Sequence, residues 1–475
     1  MYAAFAPLAL WWSAPLAFAL LIYVLHEPRL ARRLISVTVF ASAFFAPLLS
    51  WSSTYVGNIP WIILAILQIL LLLPISFLKF RREKPWLLLL FPSAWLLMEL
   101  MRTRFPFGGF GWGRTAFSQA DAPYAVLARL GGAPLLSFTV AFLGVALYLL
   151  VSGHRTTALA IVLLISIPAF LLASSPASQK RDFSFLAVQG GVPELGLGFN
   201  ARATVVFENH LKVTRAYLDK HKNMPDVILW PENSVDVDPF RIPFVKDQIQ
   251  ELADTYSIPV ILGAVLQKGN NFQNASILWM PKTGPRSTYI KEHLTPFGEY
   301  IPIRPIAELI SPYARAVRDF LPGQKIVVHH VGRAVFAPLI CFELLDDRIG
   351  RAMALQSNAF VIQTNSATFG TSPESEQQLE ISRVRSIEHN RFSMSISTSG
   401  VSALIDPNGR VTHRTGLNRP AVMDASIALV SSRTLSDRYG QQIELALIFL
   451  PSALLLGAIP LIRTRIKGRK GDQKV

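Results

Sequence analysis

The chain contains a single cysteine, Cys341, placed where the apolar run AVFAPLI ends and just before Glu343, Asp346 and Asp347. Strand ends of this kind are where α/β sheets present reacting groups. A lone cysteine cannot form an intramolecular disulfide, so the thiol is either an inert core residue or a nucleophile. A nucleophile needs a base to generate the thiolate and a cation to hold the oxyanion that develops at an attacked carbonyl. Two other strand ends offer those groups. The run DVILW leads into Pro231 and Glu232, and ASILWM is followed by a turn and then YIKEHLTPFGEY, which carries Lys291, Glu292, His293 and Glu299. Glu232, Lys291 and Cys341 thus supply base, oxyanion stabiliser and nucleophile from three strand ends. Taken singly, a Glu or a Lys most often lies on solvated surface. The rival pairing is Cys341 with a histidine, for which His293 and His389 lie nearest the other suspicious segments. No His, Cys and acidic cluster has metal-ligand spacing, and no Gly-x-Ser-x-Gly or phosphate-loop sequence occurs. Neither metal nor cofactor is expected.

Alternating strands and helices must position these groups. Strand-like runs fall at 183–189, 226–230, 259–265, 275–280, 334–340, 359–365 and 392–398, with helix-compatible stretches at 201–221, 243–256, 346–357 and 374–391. Several of the strands are almost continuously apolar, as expected when both faces of a sheet are covered. The span 182–430 suits one α/β domain. Segments near 193–202 and 312–323 could serve as lids over its site.

The rest of the chain is of another kind. Overall it is 51% hydrophobic and 16% charged, far below the quarter or so of charged residues usual in soluble domains. Apolar segments able to cross a bilayer lie at about 5–25, 34–53, 59–78, 86–101, 131–151, 157–175 and 443–462. The net charge is +15, yet residues 182–430 hold 24 basic and 24 acidic side chains. The whole excess lies around the apolar segments, which argues against a nucleic-acid-binding domain and for membrane topology. Arg29, Arg32, Arg33, Lys79, Arg81, Arg82, Lys84, Arg155 and six basic residues of the tail mark the cytoplasmic side. Seven spans then place the N-terminus and the 182–430 domain outside. The expected division is a six-helix bundle over 1–178, the catalytic domain over 182–430, a seventh helix over 443–462, and a basic cytoplasmic tail over 463–475.

The outward loop 102–130 is unusual, carrying Arg102, Arg104, Arg114 and Arg129 together with the glycine- and aromatic-rich run RFPFGGFGWGR. It reads either as an interfacial belt at headgroup level or as a loop that holds lipid phosphates, with Arg102, Trp112 and Arg114 as candidate lipid-binding residues. Glu99, three residues before Arg102, would share a helix face with it and form a local pair.

The motifs WPEN at Glu232, K-x-H-L-x-P-F-G-E-Y from Lys291 and L-I-C-F-E at Cys341 resemble the Glu–Lys–Cys triad of the nitrilase superfamily. Together with the membrane segments, Glu99/Arg102, Gln189–Gly190, TNSATFG from Thr364 and the helix of Arg383, Arg385, Glu388 and Arg391, they resemble its membrane-embedded branch, the apolipoprotein N-acyltransferases. That resemblance implies an α+β membrane protein in which a polytopic α-helical bundle of about seven spans carries an extracytoplasmic αββα sandwich. It implies ping-pong transfer of a fatty acyl chain from a phospholipid to the N-terminal amine of a diacylglyceryl-modified apolipoprotein, in a bacterial cytoplasmic membrane and without a cofactor. Glu232 would be the base, Lys291 the oxyanion stabiliser and Cys341 the nucleophile. Glu299, Glu343, Phe342 and Asn365 would be supporting residues. The chain departs from the family pattern at Phe342, where an aromatic hydroxyl is usual, at Thr368, where Trp is usual, and at Thr398–Gly400. A membrane-tethered amidase acting on a small amide is the alternative that the triad alone leaves open.

Overall fold

The computed structural model describes residues 1–173, 181–192, 195, 204–310, 312–315, 317–449 and 451. The expected tail 463–475, most of the expected helix 443–462 and nearly all of the 193–202 segment lie outside them.

Six apolar helices stand where the first six spans are expected: α1 (Ser13–Val24), α2 (Leu30–Leu48), α3 (Asn58–Leu72), α4 (Leu90–Arg102), α5 (Ala128–Val151) and α6 (Arg155–Ala173). Among the described residues four helical stretches are long and apolar enough to cross a bilayer: Leu30–Leu48, Asn58–Phe77, Ala125–Val151 and Arg155–Ala173. The first and fourth segments form shorter helices than 5–25 and 86–101 would make. At 1.5 Å per residue, α1 and α4 each rise only about 20 Å, short of the roughly 30 Å apolar layer. Pro7 precedes α1, and a 3-10 turn at Pro85–Leu89 precedes α4. Residues 435–449 are also helical.

The domain beyond the bundle has two six-stranded sheets. The first runs β12-β1-β2-β3-β4-β5 and the second β11-β10-β9-β8-β7-β6. In sequence the strands are β1 (Phe183–Gln189), β2 (Val227–Leu229), β3 (Val260–Lys268), β4 (Asn271–Met280), β5 (Gly284–Ile290), β6 (His329–Val331), β7 (Ala334–Ile340), β8 (Ala359–Thr364), β9 (Ser393–Ser397), β10 (Ala403–Ile405), β11 (Val411–Arg414) and β12 (Ala421–Ile427). Strands β1, β2 and β3 are mutually parallel, as are β7, β8 and β9. Phe183, Phe185, Leu229, Phe336, Val361 and Ile396 fill the space between the sheets. Helices α7 (Val205–Leu218) and α8 (Pro243–Tyr256) cover the outer face of the first sheet. A short α9 (Arg304–Ile310) follows the Lys291 segment.

The second sheet is covered by α10 (Asp347–Ala354) and α11 (Glu374–His389), and these join the bundle in one continuous apolar core. Helix α11 is polar all round its sequence, yet 13 of its 16 residues are buried. It lies between the second sheet and α5, so both of its faces are covered. The bundle is therefore a third wall of the two-sheet domain.

Candidate active site

Glu232, Lys291 and Cys341 come together at one edge of the sandwich. Glu232 follows β2, Lys291 directly follows β5, and Cys341 directly follows β7. β5 reaches the same edge as β2 because two successive antiparallel pairings, β3 with β4 and β4 with β5, restore its direction. The turn carrying Glu232 lies tightly against Gly263 on β3, where an added Cβ would stand 2.3 Å from the Pro231 carbonyl oxygen and 2.7 Å from Glu232 Cα. No side chain fits there. Gln363 Nε2 of β8 donates to the Trp230 carbonyl at 2.8 Å, fixing that turn to the opposite sheet.

Lys291 Nζ is buried at 1% exposure and is held at 2.8 Å by Glu299 Oε2, 3.4 Å by Glu232 Oε1 and 3.3 Å by Thr295 Oγ1. Asn274 Nδ2 donates to both carboxylates, to Glu232 Oε1 at 2.7 Å and Glu299 Oε1 at 2.8 Å. The Thr295 N–H donates to Glu299 Oε2 at 2.7 Å. Glu299 is thus a fixed counterion that orients the ammonium, which leaves Glu232 the more weakly bound of the two carboxylates.

Cys341 begins a 3-10 turn, Cys341–Leu345, with φ at +50°. A non-glycine residue in that left-handed region costs on the order of 1–2 kcal/mol. Glu343 holds the turn in place. Its Oε2 accepts from the Ile340 N–H at 2.9 Å, and its Oε1 accepts from Tyr289 Oη at 2.6 Å and the Glu292 N–H at 2.8 Å. One buried carboxylate therefore ties the nucleophile's turn to the segment that carries Lys291. Gln378 Nε2 of α11 lies 3.5 Å from Sγ.

Burial pushes the Cys341 thiol well above its ordinary pKa, and Glu232 adds to that push while Lys291 opposes it. The thiol is therefore protonated at neutral pH and needs a base. Burial likewise raises the Glu232 carboxyl against the pull of Lys291, which suits it to accept a proton. Burial disfavours the Lys291 ammonium, but Glu299 and Glu232 outweigh it and keep the group charged. Glu343 is raised to about 7 by burial. Thiol, adjacent acceptor and fixed cation together can form and resolve an acyl-thioester, a reaction that needs no metal.

The supporting residues divide. Glu299 and Glu343 contact the triad or its turn. Phe342 is buried edge-on against His293, with ring centroids 5.3 Å apart, and also packs on Phe110 of the loop 102–130. Asn365 Oδ1 accepts from Thr398 Oγ1 at 2.6 Å and from the Ala367 N–H at 3.1 Å, which shapes the turn after β8. Neither candidate histidine bonds the thiol. His293 Nδ1 lies 3.2 Å from Asp346 Oδ2 and His389 Nδ1 lies 2.6 Å from Asp437 Oδ1.

Arg102, Trp112 and Arg114 are the candidate lipid-binding residues of the loop 102–130. All three are buried with protein partners. Arg114 Nη1 donates to both Asp347 carboxylate oxygens at 2.8 Å, and Trp112 Nε1 donates to Gln377 at 2.6 Å. Arg102 Nε donates to Gln68 at 2.6 Å, and its guanidinium lies over the Phe45 ring. Glu99 does not hydrogen-bond Arg102. It accepts from Trp95 and the Thr115 N–H and lies 3.9 Å from Arg114. These groups bind loop, bundle and domain together, because any arginine brought into that junction must find a carboxylate or an acceptor there.

Three residues near the triad have no forewarning in the sequence: Asn274 within β4, and Glu374 and Gln378 on α11. Each is a polar side chain whose burial comes from tertiary packing.

Comparison with known proteins gives a consistent family. A family model described as the apolipoprotein N-acyltransferase N-terminal domain matches residues 1–146, and one described as carbon-nitrogen hydrolase matches 200–436. An apolipoprotein N-acyltransferase of Mycolicibacterium smegmatis is 32% identical over 97% of this chain and 83% of its own length. One of Shewanella oneidensis is 27% identical over 95% of this chain and 92% of its own. A solved amidase of the nitrilase superfamily from Nesterenkonia AN1 aligns with 57% of this chain and 98% of its own at 13% identity, with a TM-score of 0.42.

Proposed function

The chain belongs to the apolipoprotein N-acyltransferase family, and from that membership we propose that it moves a fatty acyl chain from a membrane phospholipid to the α-amino group of a diacylglyceryl-cysteine at an apolipoprotein N-terminus. The observation that carries the reading is the buried Glu232–Lys291–Glu299 cluster beside a cysteine held at a strand end.

In the first half-reaction Glu232 takes the Cys341 proton and Sγ attacks the ester carbonyl. Lys291 Nζ stabilises the oxyanion, its direction fixed by Glu299. The C–O bond breaks, and the proton on Glu232 passes to the departing lysophospholipid oxygen. In the second half-reaction the acceptor amine attacks the thioester, the C–S bond breaks, and Glu232 relays a proton to the thiolate. Glu343 keeps the Cys341 turn in register with Lys291 throughout. Phe342 supplies packing for that turn without a hydroxyl, and Asn365 shapes the adjacent loop.

The chain is a bacterial membrane protein. Its loop charges support a cytoplasmic tail and an extracytoplasmic catalytic domain, with about seven spans. The division into a bundle over 1–178, a catalytic domain over 182–430 and a terminal helix follows the same pattern. The amidase alternative is the weaker reading, because the family match extends into a helical region for which a small polar amide has no use. The test is to incubate purified protein with phospholipid and a diacylated lipopeptide bearing a free N-terminus. Lysophospholipid and triacylated peptide should appear in equal amounts. Fatty acid released without peptide acylation would favour hydrolysis.

A further inference from the structure

Glu374 is the first residue of α11, 2% exposed, and its Oε2 has no hydrogen-bond partner among the described residues. Such a group is costly to bury unless something engages it. Its surroundings are those of the site. Gln378, one turn further along the same helix, reaches Cys341 Sγ, and the Glu374 charge acts on both the Cys341 thiol and Glu232. The hydroxyls of Ser366, Ser375 and Ser397 converge on Gly400 beside it, where an added Cβ would lie 2.6–2.7 Å from all three. Lys291, by contrast, is already bonded to Glu299 and Glu232. What no described residue yet serves is the deprotonation of the acceptor. The acceptor arrives as an ammonium, and an ammonium cannot attack a thioester.

We propose that Glu374 receives the acceptor's α-ammonium and removes its first proton, making it a catalytic residue of the amine half-reaction alone. The assignment rests on the acyl-transfer reading above. One N–H proton goes to the Glu374 carboxylate, and the freed lone pair attacks the thioester carbonyl. The second N–H proton passes through Glu232 to the departing Cys341 thiolate as the C–S bond breaks, and Glu374 then releases its proton to solvent. Burial first, with the Glu232 charge adding to it, raises Glu374 to about 8. An α-amino group ionises at about 7.7–8.0, so the transfer is close to balanced.

The test uses the full-length protein and follows the halves separately. Phospholipid alone is added, and acyl-thioester formation on Cys341 is followed by intact mass. Diacylated lipopeptide is then added to the preformed thioester across pH 6 to 9. Glu374→Gln should form the thioester within about twofold of the wild-type rate and discharge it to peptide at least about 100-fold more slowly. The wild-type discharge rate should rise with an inflection near 8, to which Glu232 and Cys341 are the facing titratable groups. In Glu374→Gln only the inflection of the acceptor's own amine, also near 8, should remain, and Glu374→Asp should restore part of the rate. Equal slowing of both halves, or an unchanged discharge rate in Glu374→Gln, would overturn the assignment while leaving acyl transfer intact. Failure of the wild type to form any thioester would overturn the acyl-transfer reading and this assignment with it.

Discussion

The protein holds two buried ionic clusters, one at the junction with the bundle and one at the sandwich edge, and they are built to opposite rules. At the interface with the bundle, Asp347 accepts from Arg114 and Arg385, Arg385 pairs with Glu388 at 2.6 Å, and Ser436 donates to Glu388 at 2.9 Å. Burial works against the Asp347 carboxylate, but Arg114 and Arg385 hold it well below the usual carboxylate range. At the triad two carboxylates share one ammonium, and burial leaves Glu232 and Cys341 raised. Burial of charge is common to both clusters and so does not mark the active site. The mark is an incomplete balance, in which groups are kept away from their preferred protonation states and one can move a proton.

Substitutions should separate the two clusters by which property they change. Glu232→Gln should slow Cys341 acylation by roughly 100- to 10,000-fold, while the Tm holds or rises because a carboxylate that burial already penalises is gone. A large fall in Tm would make the triad a structural cluster like the other. Asp347→Asn should do the reverse. It leaves two buried guanidiniums short of a partner and should cost about 3–5 kcal/mol of stability, measured as thermal unfolding in detergent. Unchanged unfolding there would erase the distinction.

Glu343 sharpens the comparison through pH. Its pKa is raised to about 7 by burial, so folding favours its protonated form. That contribution is full below the unfolded value near 4.5 and is lost as pH rises through about 7. Between those limits wild-type stability should therefore decline relative to Glu343→Gln, by up to about 3 kcal/mol. A Tm difference that is flat over pH 5 to 7 would remove Glu343 from the perturbed set. The smallest effect is expected at Arg102. Arg102→Gln should slow both half-reactions alike by a few-fold, as befits a packing residue, and selective loss of phospholipid use would restore a lipid-binding role to it.

Much of this was legible in the residues. Strands 183–189 and 334–340 and helix 243–256 match their expected bounds, the strands because they are nearly continuous apolar runs and the helix because Pro243 opens an amphipathic stretch. The convergence of Glu232, Lys291 and Cys341 was legible because all three stand at the ends of strands. Strand β11 and half-polar strands such as β5 carry weaker apolar signals and were not expected. Helix α11 explains most of what stayed hidden. By composition it is a solvated helix, and only the bundle packed over it turns Glu374, Gln378, Arg385 and Glu388 into interior groups. The same packing gives Arg102 and Arg114 protein partners, Gln68 and Asp347, that their place in the sequence did not announce.

The most direct measurement is the intact mass of the full-length protein after incubation with phospholipid alone. A single fatty-acyl increment on Cys341, sensitive to neutral hydroxylamine, absent in Cys341→Ser and discharged by a diacylated lipopeptide, is the expected result. An unmodified protein, or a Cys341→Ser variant with full transferase activity, would contradict catalysis through the thioester.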